Sequence, residues 1–105
     1  MKSASYHSFF RNFSNRIRLN IILSLSRRPL SVTEIVKAVG EEQSKVSHHL
    51  IGLAKCGILN VKRRGKQRIY SLNRKSVNPL LRAAERHIQN CEGRCCKNEN
   101  GCLFG

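Results

Sequence analysis

The chain has 105 residues, the length of a single domain, with 20 Lys+Arg against 6 Asp+Glu and a formal charge of +14. That sign asks for a polyanionic partner, with DNA, RNA and an acidic membrane surface all fitting it. It comes with no acid pair, no Ser-His-Asp set and no phosphate-cradling Gly loop, so an enzyme is not expected.

The start, MKSASYHSFFRNF, holds no apolar run long enough for a signal h-region. Residues 4–12 read as a helix with Tyr6, Phe9, Phe10 and Phe13 as an aromatic stripe for core or dimer packing. Ser14 or Asn15 then caps a second helix to about Ser26, with Ile17, Ile21, Ile22 and Leu25 facing inward. Its apolar stretch, 17–25, is interrupted by Arg18, Asn20 and Ser24, so no membrane span is expected and the chain reads as cytoplasmic. Arg27-Arg28-Pro29 ends that helix.

Ser31 with Glu34 three residues on is a capping box for a third helix, whose apolar face is Val32, Ile35, Val36 and Val39 and whose stop is Gly40. A fourth helix begins near Glu42 or Gln43. At about 100° per residue, Val46, Leu50 and Leu53 share its inner face, while Ser44, His48 and Lys55 fall opposite with Lys45 and Ser47 flanking. Cys56-Gly57 closes it, with Cys56 expected as a small buried apolar residue. Residues 58–64 and 67–72 read as strands turning at Gly65. A last helix over about 76–90 carries Val77, Leu80, Leu81, Ala84 and Ile88 at helical spacing. The remainder, CEGRCCKNENGCLFG, has no periodicity. Third helix, short turn, fourth helix and hairpin make a mainly α fold with a small β-hairpin, a winged helix-turn-helix over 1–90, followed by a Cys-rich tail over 91–105.

Two places carry chemistry for a polyanion. On the fourth helix, Gln43, Ser44, Lys45, Ser47 and His48 are short or flexible polar side chains on the leading turns. Gln pairs bidentately with adenine, Ser reaches base or phosphate, and Lys reaches guanine or phosphate. On the hairpin, Lys62, Arg63, Arg64, Lys66 and Arg68 put five positive charges in seven residues, suited to lie along a backbone or enter a minor groove. The expected partner is double-stranded operator DNA. A basic protein that coats nucleic acid without sequence preference is the alternative.

The run SVTEIVKAVGEEQSKVSHHLIGLAKCGILNVKRRGKQRIYSLN resembles the ArsR/SmtB family of winged-helix repressors. The matching elements are Ser44, Val46, Ser47, His49 and Leu50, then Leu53, Gly57, Ile58 and Leu59, then Arg63, Gly65, Lys66, Arg68, Tyr70 and Leu72. The resemblance covers roughly residues 9–90. It implies a homodimer joined through the first and last helices, an imperfect palindromic operator, and departure from DNA when a metal or metalloid binds. His49 reads as a structural helix residue in this pattern.

The inducer is a separate matter. One family site needs a Cys-x-Cys pair at the start of the third helix, where this chain has Ser31-Val32-Thr33-Glu34-Ile35 and no thiol. Another uses Asp and His of paired last helices, but Glu85 and His87 do not make that pattern. Four of the five Cys instead lie in the last fifteen residues. Cys95-Cys96 and Cys102 offer three thiolates, the number a trivalent arsenic or antimony ion takes in a pyramid. Tetrahedral zinc would want a fourth ligand, which Cys91 supplies. The spacing resembles one arsenic-sensing branch of the family. A zinc-responsive tail and a thiol redox switch remain the alternatives, and no cofactor is expected to be required for DNA binding itself.

Overall fold

A computed structural model describes residues 3–91. Among them the helices are α1 (Ser3–Ser14), α2 (Arg16–Leu25), α3 (Val32–Val39), α4 (Gln43–Lys55) and α5 (Val77–Asn90), and the strands are β1 (Leu30–Ser31), β2 (Leu59–Arg64) and β3 (Gln67–Leu72). The chain divides into two compact units, Met1–Asn73 and Arg74–Gly105.

In the first unit, local chemistry sets where α2 and α3 start and where α4 stops. Asn15 caps α2 by accepting the Arg18 N–H, at 3.0 Å. Ser31 and Glu34 form the reciprocal capping box of α3. The Ser31 backbone N–H, donating to Glu34, holds that carboxyl below its usual range, helped by Arg28 at 3.4 Å. At the end of α4, Ile58 N–H reaches Leu53 O and Gly57 N–H reaches Ala54 O, both at 3.1 Å, with Gly57 at φ 76. That double bond with a left-handed residue is the Schellman closure, and only glycine takes its backbone without strain. Because the cap engages Ile58, the strand begins at Leu59 rather than at 58.

The core lies between α2, α3, α4 and the base of the sheet. Ile21, Ile22, Leu25, Ile35, Val46, Leu50 and Leu53 are at most 2 % exposed, and Leu59, Tyr70 and Leu72 close it from the sheet side. Each such Leu or Ile contributes about 1.5–3 kcal/mol by leaving water. This clamps α4 to α3 and α2 through one face and leaves the other face free.

β2 and β3 pair antiparallel with Leu59 opposite Leu72, Val61 opposite Tyr70 and Arg63 opposite Arg68. Gly65-Lys66 is the two-residue turn, glycine first at φ 63, as in a type II′ hairpin. The sheet is larger than a hairpin. β1 adds to β3, with Leu30 opposite Tyr70 and Ser31 opposite Ile69, giving the order β1-β3-β2. Two residues cannot show an alternation pattern, so this strand was invisible to periodicity. Cys56 also departs from expectation: it is exposed. It is the C-cap of α4, one turn beyond the last core residue of that helix, Leu53.

In the second unit, α5 buries Val77, half-buries Leu80 and Leu81, and exposes Ala84 and Ile88. Cys95, Cys96 and Cys102 lie outside the described residues. Among the described residues no helix is long and apolar enough to cross a membrane.

Candidate nucleic-acid interface

The free face of α4 is built from the residues that its core stripe leaves over. Gln43, Ser44, Lys45 and His48 are exposed and Ser47 is half-buried. Ser44 Oγ donates to Glu42 Oε1 at 2.9 Å, so this hydroxyl must leave a carboxylate before it can meet a base. Gln43 and Ser47 face a groove of about 310 Å³, whose far wall is Lys66, Gln67 and Arg68 of the hairpin. Polar side-chain donors and acceptors on one wall thus oppose cations on the other.

The hairpin cations line two hollows, with one member of the cross-strand pair Arg63–Arg68 bordering each. Lys66 and Arg68 line the groove beside α4. Lys62, Arg63 and Arg64 line a second hollow together with Arg28 and Pro29. All five wing cations are exposed, and no salt bridge neutralises them among the described residues. Arg63 stands directly opposite Arg68 in the register. Like charges so placed destabilise a sheet, and an anion between them relieves the repulsion.

One network fixing α4 went unread in the sequence. Arg18 of α2 donates from Nη1 to Asn12 Oδ1 at 2.6 Å and from Nε to His49 Nδ1 at 3.1 Å. Asn12 is 1 % exposed and donates back to Phe9 O and Ser8 O of α1. A single guanidinium therefore ties α1 and α2 to α4. Gly52 makes room for it: a Cβ there would lie 2.6 Å from Arg18 Nη2. His49 takes the structural role expected of it. Burial and then the nearby Arg18 charge hold its imidazole below the ordinary value of 6.5, which keeps Nδ1 free to accept.

That depressed value has a pH consequence. The unfolded chain binds a proton to His49 before the folded one does, so stability is full above about 6.5 and is lost as pH falls below it. Denaturant melts between pH 7.5 and 5.5 should show this loss, and His49→Gln should flatten that part of the profile. An unchanged slope in His49→Gln would sink the assignment.

At the end of α5, Cys91 Sγ lies 3.2 Å from His87 Nε2. Among the described residues no three His, Cys, Asp or Glu side chains gather as a metal group.

The sequence was compared with known proteins. Residues 15–61 match the family described as "Bacterial regulatory protein, arsR family". Over 72 residues the chain is 40% identical to the HTH-type transcriptional regulator NmtR of Mycobacterium tuberculosis, covering 69% of this chain and 60% of that protein. Against the solution structure of apo-NmtR the TM-score is 0.74, with 32% identity, 92% of this chain covered and 82% of that one. The chain belongs to the arsR family. A second relative of this arsR-family chain is the "Probable mercury resistance operon repressor" of Streptomyces lividans, 33% identical over 76 residues, covering 72% of this chain and 61% of that protein. The chain thus spans less than two thirds of the length of these curated relatives. The family is one of regulatory proteins, and the fold is its winged helix-turn-helix, with α3 and α4 as the helix pair and β2–β3 as the wing.

Proposed function

We propose that this arsR-family chain is a cytoplasmic, sequence-specific DNA-binding repressor released from its operator by a thiophilic ion, trivalent arsenic or antimony. The observation that carries the DNA reading is the groove with Gln43 and Ser47 on one wall and Lys66 and Arg68 on the other. A helix in the major groove reads base edges while the wing holds the flanking phosphates. Gln43, Ser44, Lys45, Ser47 and His48 are the reading set, and Arg63, Arg64, Lys66 and Arg68 the phosphate set.

The acting form is a homodimer. Tyr6 and Phe10 on α1 and Ile88 on α5 are about half exposed, at 51, 49 and 52 %, which is costly for a lone chain and suits a two-fold partner. Sedimentation as a monomer at micromolar concentration would remove the palindromic operator from this account.

Release follows from linkage. An ion held by Cys95, Cys96 and Cys102 lowers operator affinity by the difference in its affinity for the free and DNA-bound states. The mercury-resistance relative supports a thiophilic ligand class, since mercury and trivalent arsenic both prefer sulfur. A second reading, zinc as the ion, is favoured by the Cys91–His87 contact, because both are zinc-ligand side chains.

The test separates reading from gripping. Sites selected from random duplex DNA should share a palindromic sequence. Ser47→Ala should cost about 1–3 kcal/mol on that site and relax one position. Arg68→Ala should weaken all sequences alike and lower the slope of log affinity against log salt by about one. A protein with no selected sequence and purely salt-driven affinity is a non-specific coat, and this reading fails.

A further inference from the structure

We infer that Ile51 is a specificity-determining residue that reads the C5-methyl group of a thymine in each half-site. The inference rests on the proposed reading of operator DNA and adds a base contact that the polar set does not contain.

Three observations carry it. Ile51 is 47 % exposed on α4, whose core stripe of Val46, Leu50 and Leu53 is fully buried. It is therefore an apolar side chain on the free face of that helix. It also lines the same groove as Gln43 and Ser47. The three stand at i, i+4 and i+8, so they form one row along the helix. Finally, the wing wall of that groove carries Lys66, Gln67 and Arg68, while the groove's apolar lining, Val32, Leu50 and Tyr70, still leaves Ile51 47 % exposed. An occupant must bring a negative backbone to that wall and an apolar group to Ile51. A duplex edge carrying a thymine does both, because the thymine methyl is the apolar mark in the major groove.

The row also sets a distance. Eight residues of helix rise by about 12 Å, and base pairs stack at about 3.4 Å. The thymine should lie on the order of three or four base pairs from the position that responds to Gln43.

The experiment uses the full chain and a site selected by it from random duplex DNA. Each thymine of the site is replaced in turn by uracil, which deletes only the methyl. At one thymine per half-site, uracil should weaken binding about fourfold, the worth of one buried methyl group. Ile51→Ala should bind the thymine and uracil sites equally, at the level of the wild type on uracil. Ile51→Val, which keeps a branched apolar surface, should retain most of the discrimination. The position is solvent-facing, and a thermal melt confirms that each variant is folded. If Ile51→Ala keeps the wild-type preference for thymine, or if no thymine in a strongly selected site responds to uracil, the inference is overturned while the DNA reading stands. If the wild type selects no sequence at all, both fall together.

Discussion

Replacing any one of Cys95, Cys96 or Cys102 by Ser is expected to leave operator binding intact and abolish release by arsenite, while Cys91→Ser keeps both binding and release. The argument is coordination number. A trivalent ion with a lone pair accepts three thiolates, and this run supplies three within eight residues. The intervening residues 97–101 are polar and end in Gly101, so the segment can turn back without burying unpaired backbone. Loss of one thiolate leaves two, which hold such an ion far less tightly. Cys91 stands apart from this set: it ends α5 and already meets His87 at 3.2 Å. The measurement is operator release for each variant with arsenite, zinc and peroxide in separate titrations. If Cys91→Ser is as unresponsive as Cys95→Ser and zinc alone drives release, the site is a four-ligand zinc centre. Release by peroxide without arsenite selects the redox switch instead.

Arg18→Ala is expected to destabilise the fold by about 2–3 kcal/mol and to weaken specific DNA binding, although Arg18 is not on the exposed face of α4 proposed to meet DNA. Its guanidinium makes charge-assisted bonds to Asn12 and His49, each worth more than a neutral pair. Removing it strands Asn12 Oδ1 in a side chain that is 1 % exposed, and an orphaned buried acceptor costs about 1–3 kcal/mol by itself. Gly52 provides the decisive control. Ala is the better helix former by about 1 kcal/mol, yet its Cβ would meet Arg18 Nη2 at 2.6 Å and Cζ at 3.2 Å. The guanidinium would have to shift, straining its bonds to Asn12 and His49. Gly52→Ala should therefore destabilise the wild type by about 1 kcal/mol and stabilise Arg18→Ala by a similar amount. Urea melts of the four proteins close the cycle. If Gly52→Ala stabilises both backgrounds equally, the guanidinium is not held against α4 and the network is wrong.

Local chemistry in the sequence determined most of the scaffold. The capping box at Ser31 and Glu34, the stops at Gly40 and Gly57, and the stripe of Val46, Leu50 and Leu53 each depend on neighbours within one or two turns. A short window of sequence therefore contains the whole interaction. The exposed row on α4 and the basic hairpin were legible for the same reason. Ile51 was legible too, as an apolar residue about 140° from Val46 on the helical wheel. Its place on the wheel marks it as outside the core stripe but does not show which groove it lines.

Other features depend on residues far apart in the chain, and only the tertiary structure decided them. β1 is two residues long and exists because β3 offers it an open edge. Arg18 read as an interruption in an apolar helix, whereas it is the tie between Asn12 and His49, 31 positions further on. Gly52 has no side chain for periodicity to place, and it is the space that the guanidinium occupies. The second hollow at the wing exists because Arg28 and Pro29, far back in the chain, come to line it with Lys62, Arg63 and Arg64. Periodicity records which way a side chain points along its own element. It does not record what another element brings to meet it, and these four features turn on that meeting.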